Sequence, residues 1–219
     1  MASDNDSDFR NSFLEAIRLH NNERLDEAIP QYRSLLEKRP DNPDLWNLLG
    51  VAAHQKNQNS LAERLINTAL SLKNDAPDFH NNLGMVFRGL DREDEAKLAF
   101  RRAIELNPSH TKALSNLAGL FRQQGKFGAA LIYARRAVCA NSQDPDALNN
   151  LGNAEKDNGL VEEAIANYRR AIAVRPDFAL GHWNLALALL SLGQMKQGFE
   201  EMAWRWKWDN FPGFRRNFP

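Results

Sequence analysis

The 219-residue sequence has little cysteine and no surplus of either charge, since it contains one cysteine, Cys139, and 28 basic residues balance 28 acidic ones. A single cysteine excludes an intramolecular disulfide framework and a cysteine-rich metal site. A neutral chain lacks the surplus cations with which dedicated nucleic-acid binders displace counterions from phosphate, and it lacks the polybasic face of a surface-membrane binder. We therefore expect neither a nucleic-acid partner nor a membrane partner.

Long apolar runs are also missing, because none approaches the roughly 20 residues that a membrane-spanning helix needs. The first ten residues, MASDNDSDFR, are polar and acidic and lack the basic-then-apolar order of a secretory signal. From this we expect a cytoplasmic protein whose residues 1–8 form a disordered tail. No HExxH, P-loop or strand-linked GxGxxG motif is present, so we expect no catalytic residue, metal or cofactor within these residues.

What the sequence does contain is a repeat of 34 residues without insertions. A leucine followed by a small residue recurs at this spacing, as Leu49-Gly50, Leu83-Gly84, Leu117-Ala118, Leu151-Gly152 and Leu185-Ala186. A second series, also 34 residues apart, comprises Ala28, Ala62, Ala96, Ala130, Ala164 and Gly198. This period and pattern resemble the tetratricopeptide repeat (TPR), whose unit is two antiparallel helices, A and B.

The resemblance implies an all-α fold, a right-handed superhelix (α-solenoid) of about six helix-turn-helix repeats. We place the repeats at 9–42, 43–76, 77–110, 111–144, 145–178 and 179–212, with an aromatic capping helix or linker at 204–219. Small residues in helix A let helix B approach closely, and bulky residues such as Tyr32, Phe100 and Tyr168 fill the space beside them. Gly125, Gly159 and Gly193 fall in the turns between helices A and B, where a positive φ is expected.

Numbered from the start of each repeat, positions 2, 5, 6, 9, 12 and 13 share one stripe of helix A, and this stripe is predicted to line a concave groove. Position 6 is asparagine in four consecutive repeats and position 12 is cationic in three. A primary amide both donates and accepts hydrogen bonds and so matches an extended peptide backbone. The predicted partner-binding residues are Asn47, His54, Asn81, Asn82, Arg88, Asn116, Arg122, Asn149, Asn150, Asn153, Lys156 and Asn184.

Two uses of these side chains are open at this point. The asparagines hold a peptide, with the neighbouring cations favouring acidic or C-terminal segments, or they bridge neighbouring helices as part of the repeat itself. The cations likewise bind an acidic ligand or form a solvated face, partly paired with acids such as Asp157.

The series Asn82, Asn116, Asn150 and Asn184 resembles the asparagine ladder in the superhelical arm of protein O-linked N-acetylglucosamine transferase, which holds substrate polypeptide by its backbone. The match fails at Leu14 and Leu48. The C-terminal segment, with Trp204-Arg205-Trp206 and FPGFRRNFP, is similar to the junction that leads into the catalytic domain of bacterial TPR-linked glycosyltransferases, some of which are similar to flagellin-modifying enzymes.

These resemblances imply a substrate-docking arm of a protein glycosyltransferase, with a polypeptide in its groove and a possible C-terminal glycosyltransferase domain. Two alternatives are a free-standing adaptor or co-chaperone that captures a C-terminal carboxylate, and an assembly scaffold whose ends stack. Only part of the carboxylate-clamp pattern is present, at Asn47, Asn82, Lys112 and Asn116.

Overall fold

The computed structural model describes residues 2–207, and within that range all regular structure is helical, which confirms the all-α prediction. The helices are α1 (Ala2–Asn21), α2 (Leu25–Lys38), α3 (Pro43–Gln55), α4 (Asn59–Leu72), α5 (Pro77–Arg88), α6 (Glu93–Leu106), α7 (Thr111–Gln123), α8 (Phe127–Ala140), α9 (Pro145–Asp157), α10 (Val161–Val174), α11 (Ala179–Ser191), α12 (Met195–Met202) and a 3-10 helix (Ala203–Lys207). They form two compact units, an N-terminal unit of residues 1–108 and a C-terminal unit of residues 109–219. In each unit every helix packs against its neighbours along the chain.

The helix boundaries follow from capping residues and from prolines. The Asn42 side chain accepts hydrogen bonds from the backbone nitrogens of Asp44 and Leu45, at 3.0 and 3.2 Å, and Pro43 occupies the next position, where its missing N–H is harmless. Asp144 caps α9 in the same way. The A-to-B turns need a positive φ, and it is supplied in the C-terminal unit by glycines, as predicted, and in the N-terminal unit by Glu23, Asn57 and Asp91.

Close contact between the two helices of a pair rests on a small residue opposite a large one. Gly84 of α5 faces the buried ring of Phe100 in α6, and a Cβ built on that glycine would lie 2.5 Å from the ring. Gly152 of α9 faces the buried Tyr168 in the same way, with a closest distance of 2.6 Å. These two pairs therefore share one packing arrangement, in which a glycine makes room for an aromatic ring.

The start of the chain differs from the expectation of a disordered tail at 1–8, because α1 already begins at Ala2. Asp6 forms an ion pair with Arg39, and the Arg39 guanidinium lies 4.0 Å from the centre of the Phe9 ring. These contacts tie the first helix to the end of α2, 33 residues away in sequence, which explains the difference.

At the other end, Trp204 to Lys207 belong to the 3-10 helix, whereas residues 208–219 of the expected cap or linker lie outside the described residues. No helix in residues 2–207 combines the length and apolar character that crossing a bilayer requires.

Candidate functional site

The predicted binding residues lie on the first helix of each pair, and several of them are bonded to one another. In the N-terminal unit, Asn82 Nδ2 of α5 donates to Asn47 Oδ1 of α3 at 3.0 Å. Asn47 is 7% exposed and Asn81 4%, and Asn81 Nδ2 lies 3.4 Å from Asn82 Oδ1, a marginal hydrogen bond. The amides of this unit therefore join adjacent A helices.

The C-terminal unit repeats this arrangement. Asn184 Nδ2 of α11 donates to Asn149 Oδ1 of α9 at 2.9 Å, and these side chains are 8% and 2% exposed. In both units the donor stands 35 residues after the acceptor, one position later in the next repeat. Of the two uses that the sequence left open for these asparagines, Asn82 and Asn184 therefore show the bridging one, because each donates to the preceding A helix.

Most of the predicted cationic side chains at position 12 also interact with other residues of the chain. Arg122 Nε lies 2.5 Å from Asp157 Oδ2, so its charge is paired across α7 and α9. His54 Nδ1 donates to Asn59 Oδ1 at 2.6 Å, and Asn59 Nδ2 in turn donates to the Gly89 carbonyl at 2.7 Å. Arg88 and Asn116 have interaction partners of their own.

Two of the predicted residues keep their polar groups available. The side chains of Asn150 and Lys156, both half-buried on α9, make no hydrogen bond or ion pair with any other residue in the described part of the chain. The position that pairs with Asn150 in the preceding repeat is Ser115, whose side chain is shorter than the asparagine found there in other repeats. Asn153 is partly used, since its Oδ1 accepts from the Tyr168 hydroxyl at 2.9 Å.

An apolar stripe on α11 is a feature that the sequence interpretation missed. Leu180, Trp183 and Leu187 are spaced three and four residues apart and so share one face of the helix. Leu187 is 36% exposed. The signal was present in the sequence, because the residues 34 positions earlier are all polar: Asp146, Asn149 and Asn153. We call Asn150, Lys156, Leu180, Trp183 and Leu187 together the α9–α11 face.

A buried carboxyl group lies in the core of the same unit. Glu155 of α9 is 5% exposed, and its Oε2 accepts from Asn167 Nδ2 of α10 at 2.8 Å. Burial raises the pKa of Glu155 above its ordinary value of 4.5, and the hydrogen bond from Asn167 opposes this shift. Because its partners belong to the helix pair itself, we assign Glu155 to packing. No group of three or more His, Cys, Asp or Glu side chains within residues 2–207 is placed to hold a metal ion.

Comparison with known proteins identifies the repeat. A family model described as tetratricopeptide repeat matches residues 13–79 and 81–147, which is more than half of the chain, and a second TPR model matches residues 152–193. No curated protein matches the chain.

Among solved structures, PilW, described as a widely conserved type IV pilus biogenesis factor, is 22% identical with a TM-score of 0.78 and covers 94% of this chain and 95% of its own. PilF of Pseudomonas aeruginosa is 17% identical with a TM-score of 0.76, covering 90% of this chain and 89% of its own. TTC0263 of Thermus thermophilus, a thermophilic TPR protein, is 18% identical with a TM-score of 0.73, covering 83% of this chain and 99% of its own. The likeness to these solved structures concerns the fold alone. Because the family model matches more than half of the sequence, the chain belongs to the tetratricopeptide repeat family.

Proposed function

We propose that this chain is a protein-interaction module that holds an extended polypeptide segment on the α9–α11 face. The observation that carries the proposal is the combination of a partly exposed apolar stripe on α11 with the Asn150 amide and the Lys156 ammonium group on α9, which make no hydrogen bond or ion pair within residues 2–207. The hydrogen bond between Asn149 and Asn184 holds these two helices side by side, so the polar and apolar groups border one surface.

Each part of the face matches a different part of a peptide. The Asn150 amide donates and accepts, which suits the C=O and N–H of an extended backbone. Leu187 and its neighbours on the stripe offer an apolar contact for a large side chain, the kind of contact that dominates binding energy at interfaces. Lys156 favours a segment with an acidic side chain or a C-terminal carboxylate near that anchor.

A selection from a displayed library of random peptides on the full chain tests this function. We expect selected peptides to carry a large apolar residue close to an acidic group. In calorimetric titrations with such a peptide, Leu187→Asp should weaken binding at least about tenfold, since it places a charge in an apolar contact. Asn150→Ala should weaken binding by about 1 kcal/mol, or roughly fivefold, through one lost hydrogen bond.

The matched control is Ile132→Asp, which alters a residue of the same unit that is 61% exposed on helix α8. It should leave the affinity unchanged. Failure to select any binding peptide, or equal weakening by Ile132→Asp and Leu187→Asp, would contradict the proposed face.

A more specific role, as the substrate-docking arm of a protein glycosyltransferase with a flagellin-type substrate, is a proposal that rests on sequence resemblance alone. Its support is Trp204-Arg205-Trp206 together with the repeated asparagines, of which Asn82 and Asn184 are engaged within the fold. Reading the coding sequence past codon 219 tests it. Continuation into a glycosyltransferase domain is the expected result, and a stop codon there would favour the free-standing adaptor or the scaffold.

A further inference from the structure

A partly enclosed apolar cavity lies in the N-terminal unit, between α2, α3 and α4. Its volume is about 120 Å³. Most of its lining side chains are apolar, with two polar ones at the rim: Ile29, Leu49, Ala53, Leu61 and Leu65, with Arg33 and Gln58. None of these residues belongs to the predicted groove stripe of the A helices, so the cavity is separate from that groove and from the α9–α11 face.

One small residue accounts for the cavity. Ala53 of α3 is 3% exposed, and at intervals of 34 residues it has larger counterparts in all the other repeats: Leu19, Phe87, Phe121, Glu155 and Leu189. Each of these counterparts is buried. Alanine at position 53 therefore leaves open the space that a leucine or phenylalanine side chain takes in most other repeats.

The next helix pair of the same unit shows what fills and closes this place. There the ring of Phe87 is buried, and the Arg92 guanidinium lies 4.5 Å from the ring centre. Arg92 also pairs with Glu63 and Glu95, at 2.7 and 2.5 Å, so an ionic network lies beside the ring. One repeat earlier, the positions of these three charged residues hold Ile29, Gln58 and Leu61. The cavity at Ala53 therefore lacks both the ring and the ionic network that accompanies it.

We propose that this cavity binds an aromatic side chain of a partner polypeptide, in a segment where an acidic residue stands beside the aromatic one. An apolar cavity of roughly 150 Å³ holds benzene, so a cavity of about 120 Å³ that is open to the surface accommodates a phenylalanine ring whose Cβ lies outside it. The partner's ring then takes the place that Phe87 fills in the next pair.

The two polar residues at the rim define the rest of the ligand. Arg33 and Gln58 are exposed, and their side chains make no hydrogen bond or ion pair with any other residue in the described range 2–207. A guanidinium group pairs with a carboxylate through two parallel hydrogen bonds, which favours an acidic residue next to the ring. The Gln58 amide both donates and accepts, which suits the C=O and N–H of a peptide backbone and favours a polypeptide over a small aromatic acid.

A titration of the full chain with the peptide acetyl-Ser-Phe-Glu-Ser-amide, followed by nuclear magnetic resonance, tests the site. We expect saturable shifts of the methyl signals of Leu49, Leu61 and Leu65. Replacing the phenylalanine of the peptide by alanine should weaken binding at least about tenfold, because the ring supplies the buried apolar area. Arg33→Glu should weaken binding at least about fivefold through the lost charge-assisted contact. The matched control is Arg64→Glu, which reverses an exposed arginine of α4 outside the cavity and should leave the affinity unchanged.

Filling the cavity from within the chain is the second test. Ala53→Phe reproduces the residue of the next repeat and should abolish peptide binding while raising Tm by about 2–4 °C. Ala53→Leu reproduces the first and last repeats and should change both quantities in the same direction, so the test does not depend on one variant.

Four results would overturn the proposal. The methyl signals do not shift at the highest soluble peptide concentration, or the alanine peptide binds as tightly as the phenylalanine peptide. Ala53→Phe and Ala53→Leu both lower Tm or both leave the affinity unchanged, which would show that the cavity does not take the ring. Phenylacetate, which has the ring and the carboxylate without a peptide backbone, binds at least as tightly as the peptide, which would assign the cavity to a small aromatic acid.

Discussion

The N-terminal and C-terminal units are built from the same helix pair but use the polar residues of their A helices differently. In the N-terminal unit, Asn47, Asn82 and His54 are all engaged by other protein groups. In the C-terminal unit, one equivalent amide pair is present, but Asn150 and Lys156 make no hydrogen bond or ion pair with the other described residues. The last A helix is apolar on the same stripe.

This difference separates two roles that look identical in sequence. An asparagine with another asparagine 35 residues earlier is bonded to it in both units, at Asn82 and at Asn184. An asparagine whose counterpart is the shorter Ser115 keeps its amide available. The residue one repeat earlier therefore indicates whether the preceding A helix already engages an asparagine, which we propose separates fold-supporting from partner-binding asparagines.

The largest effect should come from the contact that both units share, between a glycine and an aromatic ring. Gly84→Ala and Gly152→Ala each place a methyl group within 2.6 Å of a buried ring and should lower the free energy of unfolding by about 1–3 kcal/mol. Gly119→Ala is the control, because nothing lies within 4 Å of its added Cβ, and it should be neutral or stabilise the helix by up to about 1 kcal/mol. Urea denaturation followed by circular dichroism measures these changes. Equal effects of all three substitutions would mean that the units do not share this packing.

A slightly smaller effect is expected from the amide pair. Asn149→Ala leaves the Asn184 amide, 8% exposed, without its acceptor and should cost about 1–2 kcal/mol of unfolding free energy. The double variant Asn149→Ala with Asn184→Ala should cost less than the sum of the two single changes, because no orphaned amide remains. For Asn47 and Asn82 the double variant should likewise cost less unfolding free energy than the sum of the two single changes. Asn150→Ala should change the free energy of unfolding by less than about 0.5 kcal/mol. Additive single effects would show that the amides are not coupled.

The smallest effect should distinguish the two units by pH. Glu155 occupies a position filled by Phe87 in the N-terminal unit, and burial raises its pKa above 4.5, with Asn167, Arg135 and Arg170 opposing. Because the folded state then holds a proton that the unfolded state has released, the free energy of unfolding should fall as pH rises from 4.5 through the raised pKa.

Glu155→Gln should remove this part of the pH dependence, since an amide oxygen can still accept from Asn167 and does not ionise in this range. The measurement is a comparison of urea denaturation of the two proteins between pH 4 and pH 7. Superimposable pH profiles would contradict the assignment of Glu155 as a buried carboxyl group.

The regular part of the fold was predictable from the sequence because it depends on residues 34 positions apart. The small residue, the bulky partner and the turn glycines each act within one repeat, so periodicity alone identified Gly152, Tyr168 and Gly159. The start of α1 was not predictable in this way, because it depends on contacts of Asp6 and Phe9 with Arg39 in the next helix.

The site was predictable only in part. Helical periodicity places Asn82, Asn150 and Asn184 on one stripe but does not reveal whether a neighbouring A helix already engages each amide. That depends on the lateral alignment of adjacent A helices, which brings position 5 of one repeat to position 6 of the next. The apolar stripe was visible in sequence at Leu180 and Leu187, but its exposure depends on which helices pack beside α11.

The most direct test of the distinction between fold-supporting and partner-binding asparagines is the hydrogen exchange of asparagine side-chain amides, measured by nuclear magnetic resonance on the full chain. The Nδ2 protons of Asn82 and Asn184 donate within the protein and should exchange with water at least about tenfold more slowly than those of Asn150. Equal exchange rates at Asn150 and Asn184 would contradict the account.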